Sequence, residues 1–384
     1  MIAALAACGR LGYEPVDGDF VVPDGGGADA PLPGADIRVT DAPGGSQRPS
    51  LVWTGQSLVV VWEDLRDDLA GGDGDLYLTR LSASGAKQID DVSIVDAAGT
   101  SGYATAVWNG GTVAVVWEDF RNGNTEIYFA RYGVDGARVG AEVRVTDTAA
   151  ESYDPSIVWT GSEYGVAYDE GGPTAGEVIL LRVAADGSVV SAGLRSSDPR
   201  RSARASVAWD GGEYGVAWED GRSGRNKAYF GLVGNDGAAD GPEIALNVAP
   251  GESLGMSLVW NGSEYGLAWE DTRSGTSAIY FTRLDGIGSR LMPDTQVSSG
   301  SGAAHAASLI WTGREYGLAW EQAHAVRFAR LDAGGAVVAG PRTISGPDAD
   351  ADAPSLAWNG TAFAVAWEDG RHGDAEIYAQ VFAP

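Results

Sequence analysis

Polar and apolar residues alternate along this chain in short runs, and tight turns rich in glycine separate the runs. Ser156-Ile157-Val158-Trp159 and Ser257-Leu258-Val259-Trp260 show the alternation of a half-buried strand, here called strand A. A second strand, B, carries another aromatic, as in Tyr265-Gly266-Leu267-Ala268-Trp269. Glu126-Ile127-Tyr128-Phe129-Ala130-Arg131 typifies a third, C. After an Asp135-Gly136 turn, Glu142-Val143-Arg144-Val145-Thr146 supplies a fourth, D.

This unit recurs. The aromatic of strand A is Trp53, Trp108, Trp159, Trp209, Trp260, Trp311 and Trp358, at spacings of 55, 51, 50, 51, 51 and 47 residues. Nine residues after each stands the aromatic of strand B: Trp62, Trp117, Tyr168, Trp218, Trp269, Trp320 and Trp367. An interval that never varies implies a hairpin with a fixed turn, and each copy has Gly at the second turn position (Gly55, Gly110, Gly161, Gly211, Gly262, Gly313, Gly360), where positive φ is needed. The last repeat stops after its strand C. Asp36-Ile37-Arg38-Val39-Thr40, ahead of the first strand A, has the wording of Val143-Arg144-Val145-Thr146 and can supply the missing strand D. The expected fold is therefore all-β: seven four-stranded antiparallel blades, closed into a ring by the N-terminal strand. The pattern resembles the β-propeller superfold and, more narrowly, the Trp-rich repeats of secreted and lipid-anchored bacterial propellers. It lacks the signature of WD40 repeats and the Ser-x-Asp-x-Gly-x-Thr-Trp box of sialidases, so the resemblance implies architecture and no particular chemistry.

Composition adds a setting. The formal charge of −27, from 53 acidic and 26 basic residues, disfavours nucleic acid and anionic headgroups as partners. The single cysteine, Cys8, excludes an intramolecular disulfide. Leu5-Ala6-Ala7-Cys8-Gly9 resembles a bacterial lipobox, which implies lipidation at Cys8, although only seven residues precede the cysteine and none is basic. Residues 9–35, rich in Gly, Pro, Asp and Ala, read as a flexible tether, which divides the chain into a truncated signal remnant (1–8), a tether (9–35) and the propeller (36–384). The expected location is the cell envelope, at the outer membrane or cell surface, with the membrane contacted through the lipid alone.

Candidate chemistry is sparse. Directly after the strand B aromatic, five repeats carry Glu-Asp-x-Arg, with Asp64 and Arg66, Asp119 and Arg121, Asp220 and Arg222, Asp271 and Arg273, and Asp369 and Arg371. Repetition in five copies marks a scaffold device, in which Asp fastens the B–C turn and Arg pairs with a carboxylate. Strand C keeps Arg80, Arg131, Arg182, Arg283 and Arg330, for which pairing between blades is expected. His305, His324 and His372 are far apart and show no zinc spacing. Asp67-Asp68 to Asp73-Gly74-Asp75 resembles a calcium loop without its distal Glu and reads better as an acidic turn insertion, so no cofactor is expected, with Ca²⁺ as the alternative.

A site must be made by differences between blades. The interval from the strand B aromatic to the strand C aromatic position is 11 residues in five blades, 15 in blade one and seven in blade six, and blade three reads Tyr168-Asp169-Glu170-Gly171-Gly172-Pro173. The D–A loops share a face with these irregular turns and carry Arg48, Tyr103, Tyr153, Asp154, Arg200, Arg201, Arg204, His305, Asp348, Asp350 and Asp352. Of these, Arg48, Tyr103, Tyr153, Asp154, Arg204, His305 and Asp352, together with His324, are the candidate ligand-binding residues. The reading is a monomeric, non-catalytic binding or scaffold module for a protein or polysaccharide of the envelope. The alternative is a glycoside hydrolase or polysaccharide lyase with loop carboxylates such as Asp154 and Asp352 as acid and base.

Overall fold

The computed structural model describes residues 6–7, 36–66, 74–171, 176–196, 202–246 and 249–384. No helix occurs among them. Seven antiparallel sheets, each with strands in the order A-B-C-D from the inside out, form the ring. Blade one, for example, consists of Ser46–Trp53, Ser57–Asp64, Asp75–Ser82 and Val92–Val95. Ala6–Ala7 add a two-residue strand beside strand A of blade three. Cys8, the proposed tether and the acidic insertion at 67–73 lie outside the described residues, as do Arg200 and Arg201.

Ring closure follows the sequence match. Ile37 pairs with Ala379 and Arg38 with Tyr378, so Ile37–Arg38 is strand D of blade seven. The likeness to blade two extends to single bonds. Val39 and Thr40 both direct their N–H at the Ile377 carbonyl, as Val145 and Thr146 do at Ile127. Arg38 and Thr40 reach Glu376 just as Arg144 and Thr146 reach Glu126. Three matching letters, Arg-Val-Thr after a β-branched residue, thus encode a complete set of edge bonds, which removes two open sheet edges.

The core lies between blades. The strand B tryptophans Trp62, Trp117, Trp218, Trp269, Trp320 and Trp367 are at most 1% exposed, and they pack with residues of the preceding blade, Trp117 with Val52, Val59 and Leu76 and Trp218 with Val158 and Ala167. The strand A aromatics sit nearer the surface and receive the next aromatic in their hairpin, Tyr164 on Trp159 and Tyr214 on Trp209, with centroids 4.5 and 4.6 Å apart.

An indole buried this way needs an acceptor for its N–H, and the Glu-Asp-x-Arg motif supplies it. In blade one, Asp64 Oδ2 accepts from Trp62 Nε1 at 2.7 Å and from Ser46 Oγ at 2.9 Å, while Oδ1 accepts the Arg66 amide at 2.9 Å. The Arg66 guanidinium grips both carboxylate oxygens, reaches Asp91 beside strand D, and lies 4.2 Å from the centroid of Tyr77 on strand C. One five-residue cassette therefore ties all four strands of the blade together. Asp119, Asp220, Asp271 and Asp369 repeat the pairing with Trp117, Trp218, Trp269 and Trp367, and with Arg121, Arg222, Arg273 and Arg371, which continue to Glu142, Glu243, Asp294 and Asp36. Burial alone would raise these carboxyls. The bonds from Arg and Trp outweigh it and hold all five below the usual aspartate range.

The strand C arginines depart from expectation. Arg182, Arg283 and Arg330 pair with Glu163, Glu264 and Glu315 of their own blades, because the start of strand B and the end of strand C are diagonal neighbours in the antiparallel ladder. Arg283 also bonds the Gly334 carbonyl of blade six, and Arg182 reaches Tyr214 of blade four, so these two cross to a neighbouring blade as well.

Candidate functional site

Strand A is longer than its alternation suggests. It starts four residues before the alternating run, at Ser152 and Ser253 for the two examples, and contains a bulge, where the register slips between Gln47 and Ser50 and at the equivalent place in every other blade. At each slip one residue takes a left-handed conformation, with φ between 48° and 57°: Arg48, Tyr103, Asp154, Arg204, Gly255, Ala306 and Ala353. Arg48, Tyr103, Asp154 and Arg204 are therefore part of strand A, as are Tyr153, His305 and Asp352, and none of them belongs to a D–A loop. The bulge breaks the two-residue period that would have revealed the strand.

Two sets of side chains fix these bulges, and sequence reasoning passed over both. The residue directly after the strand B aromatic is acidic in all seven blades: Glu63, Glu118, Asp169, Glu219, Glu270, Glu321 and Glu368. At five junctions this acid accepts the N–H of the left-handed residue in the next blade, as Glu118 does from Asp154 at 2.7 Å and Glu368 from Arg48 at 3.1 Å. Three positions before each strand A tryptophan stands a hydroxyl residue: Ser50, Thr105, Ser156, Ser206, Ser257, Ser308 and Ser355. Six of them accept an amide proton from the next strand A, and Ser355 to Leu51 closes the circle. The signal for both sets was present, since each recurs in every repeat.

The bulges line a central cavity of about 370 Å³, at the lower end of the range for small-molecule sites. Its rim is lopsided. Blades one to four contribute Arg48, Tyr103, Asp154 and Arg204, whereas blades five to seven contribute Gly255, Ala306 and Ala353. The Arg48 guanidinium lies 4.2 Å from the Tyr103 ring centroid and 2.9 Å from Glu63. Arg204 is 3.5 Å from Glu219 and 3.8 Å from Asp154. Beneath them, burial pushes Glu118 up to about 8. The Asp154 amide opposes that rise, and the Asp154 and Glu63 charges add to it.

A second cavity, of about 550 Å³, opens over blades six and seven and brings together His305, His324, Asp350 and Asp352 with Glu321 and Glu368. Its origin is the short B–C turn of blade six, where Gln322 and His324 replace the Asp and Arg of the cassette. Trp320 keeps a weaker bond to Gln322, at 3.3 Å. His324 turns instead to Asp350, at 2.9 Å, and His305 to Glu270, at 2.9 Å. Burial raises Glu321 and Glu368, and Asp352 adds to both. Among the described residues no group of three His, Cys, Asp or Glu has the spacing to hold a metal ion.

The candidate residues thus divide into two groups. Arg48, Tyr103, Asp154 and Arg204 share the central rim, and His305, His324 and Asp352 share the second cavity. Tyr153 lines neither and bonds Glu151. Asp154 and Asp352, named together as acid and base, line different cavities.

No protein-family model and no curated protein matches the chain. Among solved structures it is similar to the acylaminoacyl peptidase of Pyrococcus horikoshii, with a TM-score of 0.51 and 12% identity over 85% of this chain and 49% of that one. The subtype N10 neuraminidase-like protein of a little yellow-shouldered bat isolate gives 0.50 and 10% over 91% and 96%. Trypanosoma rangeli sialidase gives 0.50 and 10% over 91% and 57%. The chain spans about half the length of the peptidase it matches. At such identity the likeness concerns the ring of blades alone.

Proposed function

We propose that this propeller is a non-catalytic recognition module of the Trp-rich repeat type, held at the bacterial cell surface through a lipid on Cys8, and that it engages an envelope polysaccharide by the bulged face of the ring. The observation that carries this reading is the lopsided rim. Seven equivalent positions have equivalent backbones, yet four adjacent ones hold two arginines, a tyrosine and an aspartate, and the other three hold nothing larger than a methyl group. A scaffold alone has no use for that difference. The ring acts as a monomer, tethered through residues 9–35. The test is capture of envelope polysaccharide by the purified chain and by an Arg48→Ala/Arg204→Ala variant. Equal capture by both, or none by either, removes the proposal. Retention in the detergent phase that disappears on Cys8→Ser tests the anchor.

A hydrolytic reading draws support from Glu118, whose raised pKa of about 8 leaves it protonated at neutral pH beside Asp154. It replaces the pairing of Asp154 with Asp352. Release of reducing ends from a polysaccharide, abolished in Glu118→Gln, would favour this reading over the first.

A further inference from the structure

The arginines of the cassette and those of the central rim are held differently. Arg66, Arg121, Arg222, Arg273 and Arg371 are gripped on both sides by their motif aspartate, extended to a second acid and stacked on tyrosine, and their side chains are 12–23% exposed. Arg48 and Arg204 are 37% and 52% exposed. Arg48 commits one nitrogen to Glu63, and Arg204 keeps its two carboxylates at 3.5 and 3.8 Å. Part-exposed guanidinium groups at a cavity rim match the planar, two-oxygen geometry of a carboxylate.

Between them in the arc stand Tyr103, 44% exposed, and Asp154. An aromatic face beside a carboxylate acceptor suits a sugar ring, whose C–H face packs on the aromatic and whose hydroxyls donate to the acid. Opposite, Gly255, Ala306 and Ala353 leave room for the ring. We infer that the central rim binds a carboxylate-bearing sugar, a uronate unit, with Arg48 and Arg204 on the carboxylate, Tyr103 against the ring and Asp154 on a hydroxyl. This rests on the recognition reading above and names its ligand class. The cavity of about 370 Å³ admits one or two sugar rings, a chain end and not the middle of a polymer. The formal charge of −27 opposes a long polyanion at a distance, but at physiological salt charges beyond about 8 Å are largely screened from a ligand seated in the mouth.

The experiment is isothermal titration calorimetry of the full chain at neutral pH and physiological salt, with glucuronate and galacturonate against glucose and galactose. At least one uronate is expected to bind at least tenfold more tightly than its neutral counterpart. Arg48→Ala and Arg204→Ala are each expected to weaken it at least tenfold, and Arg204→Lys less. Alanine already occupies the left-handed position at Ala306 and Ala353, so these variants keep the fold, which an unchanged melting temperature verifies. Equal affinity for acid and neutral sugars, or unchanged affinity in both alanine variants, overturns the inference. So does binding of a peptide C-terminal carboxylate in place of the sugars. If uronates fail while polysaccharide capture still depends on the arginines, only the ligand class falls; if capture fails too, both readings fall.

Discussion

The Tyr265 ring of blade five occupies the space a side chain on Gly215 of blade four would need, with Tyr265 Cε1 2.5 Å from that Cβ position. Tyr214 stands in the same way over Gly165, Tyr316 over Gly266 and Phe363 over Gly317. Each ring also touches a phenylalanine or strand A tryptophan, as Tyr265 touches Phe230 and Trp260. Tyr-Gly is therefore an interlock between blades, in which the tyrosine of one strand B fills the glycine of the one before. Gly215→Ala is expected to lower stability by about 1–3 kcal/mol, because the tyrosine is fully buried and has nowhere to move. Chemical denaturation reads this directly, and a neutral result would mean that the blades can separate to absorb a methyl group.

The cassette makes a second prediction. Asp220→Ala strips Trp218 and Arg222 of their shared acceptor and is expected to cost about 3–5 kcal/mol. Ser202→Ala, which removes one neutral donor to the same carboxylate, should cost about 1 kcal/mol. Asp220 titrates below its ordinary 3.8, so its contribution is present above that value and vanishes as pH falls through the lower folded-state value. The wild type and Asp220→Ala curves should therefore converge in acid. Blade six supplies the control. Gln322→Asp would place a carboxylate under Trp320 with His324 where the arginine should be, and is expected to destabilise.

The ring, its closure and the role of the cassette were legible because each is written in letters that repeat. Thr40 could be matched to Thr146 by inspection, and both bond the glutamate of a neighbouring strand C. The central rim was only half legible. Arg48, Tyr103, Asp154 and Arg204 stood out as differences, but the bulge that aims them together is signed only by the acid of the preceding blade and the hydroxyl three positions before each strand A tryptophan. That acid adjoined a more conspicuous Asp and was absorbed into its motif. Which cavity a residue lines depends on blade geometry, so His305 and Asp352 could not be told from Asp154 by position in the repeat alone.

Glu118 predicts an unusual pH dependence. Its folded value of about 8 lies above the ordinary 4.5, so folding favours the protonated form. The contribution is complete below about 4.5 and is lost progressively as pH rises toward 8. Glu118→Gln keeps an oxygen to accept the Asp154 amide and carries no charge. The variant should match the wild type near pH 4.5, gain on it steadily through neutrality, and hold a constant advantage above about 8. Denaturation midpoints across that range test this, and parallel curves for the two proteins would refute it.

The B–C turn of blade six is stressed in a way that no other B–C turn is among the described residues. Gln322 and Ala325 bond each other through both backbone pairs, which leaves Ala323 and His324 as a two-residue loop with φ of 56° and 63°. Loops of this kind favour Asn-Gly, and left-handed conformations cost other residues about 1–2 kcal/mol each. His324 gains an exposed contact to Asp350 that repays little of it. Ala323→Asn/His324→Gly is therefore expected to raise stability by about 1–2 kcal/mol, read as a higher denaturation midpoint with an unchanged slope. That gain would mean the strain is maintained for what the turn exposes, the cavity holding His305, Glu321 and Asp352, and not for the stability of the ring. A loss would show instead that the His324–Asp350 contact is needed to hold blade seven in place.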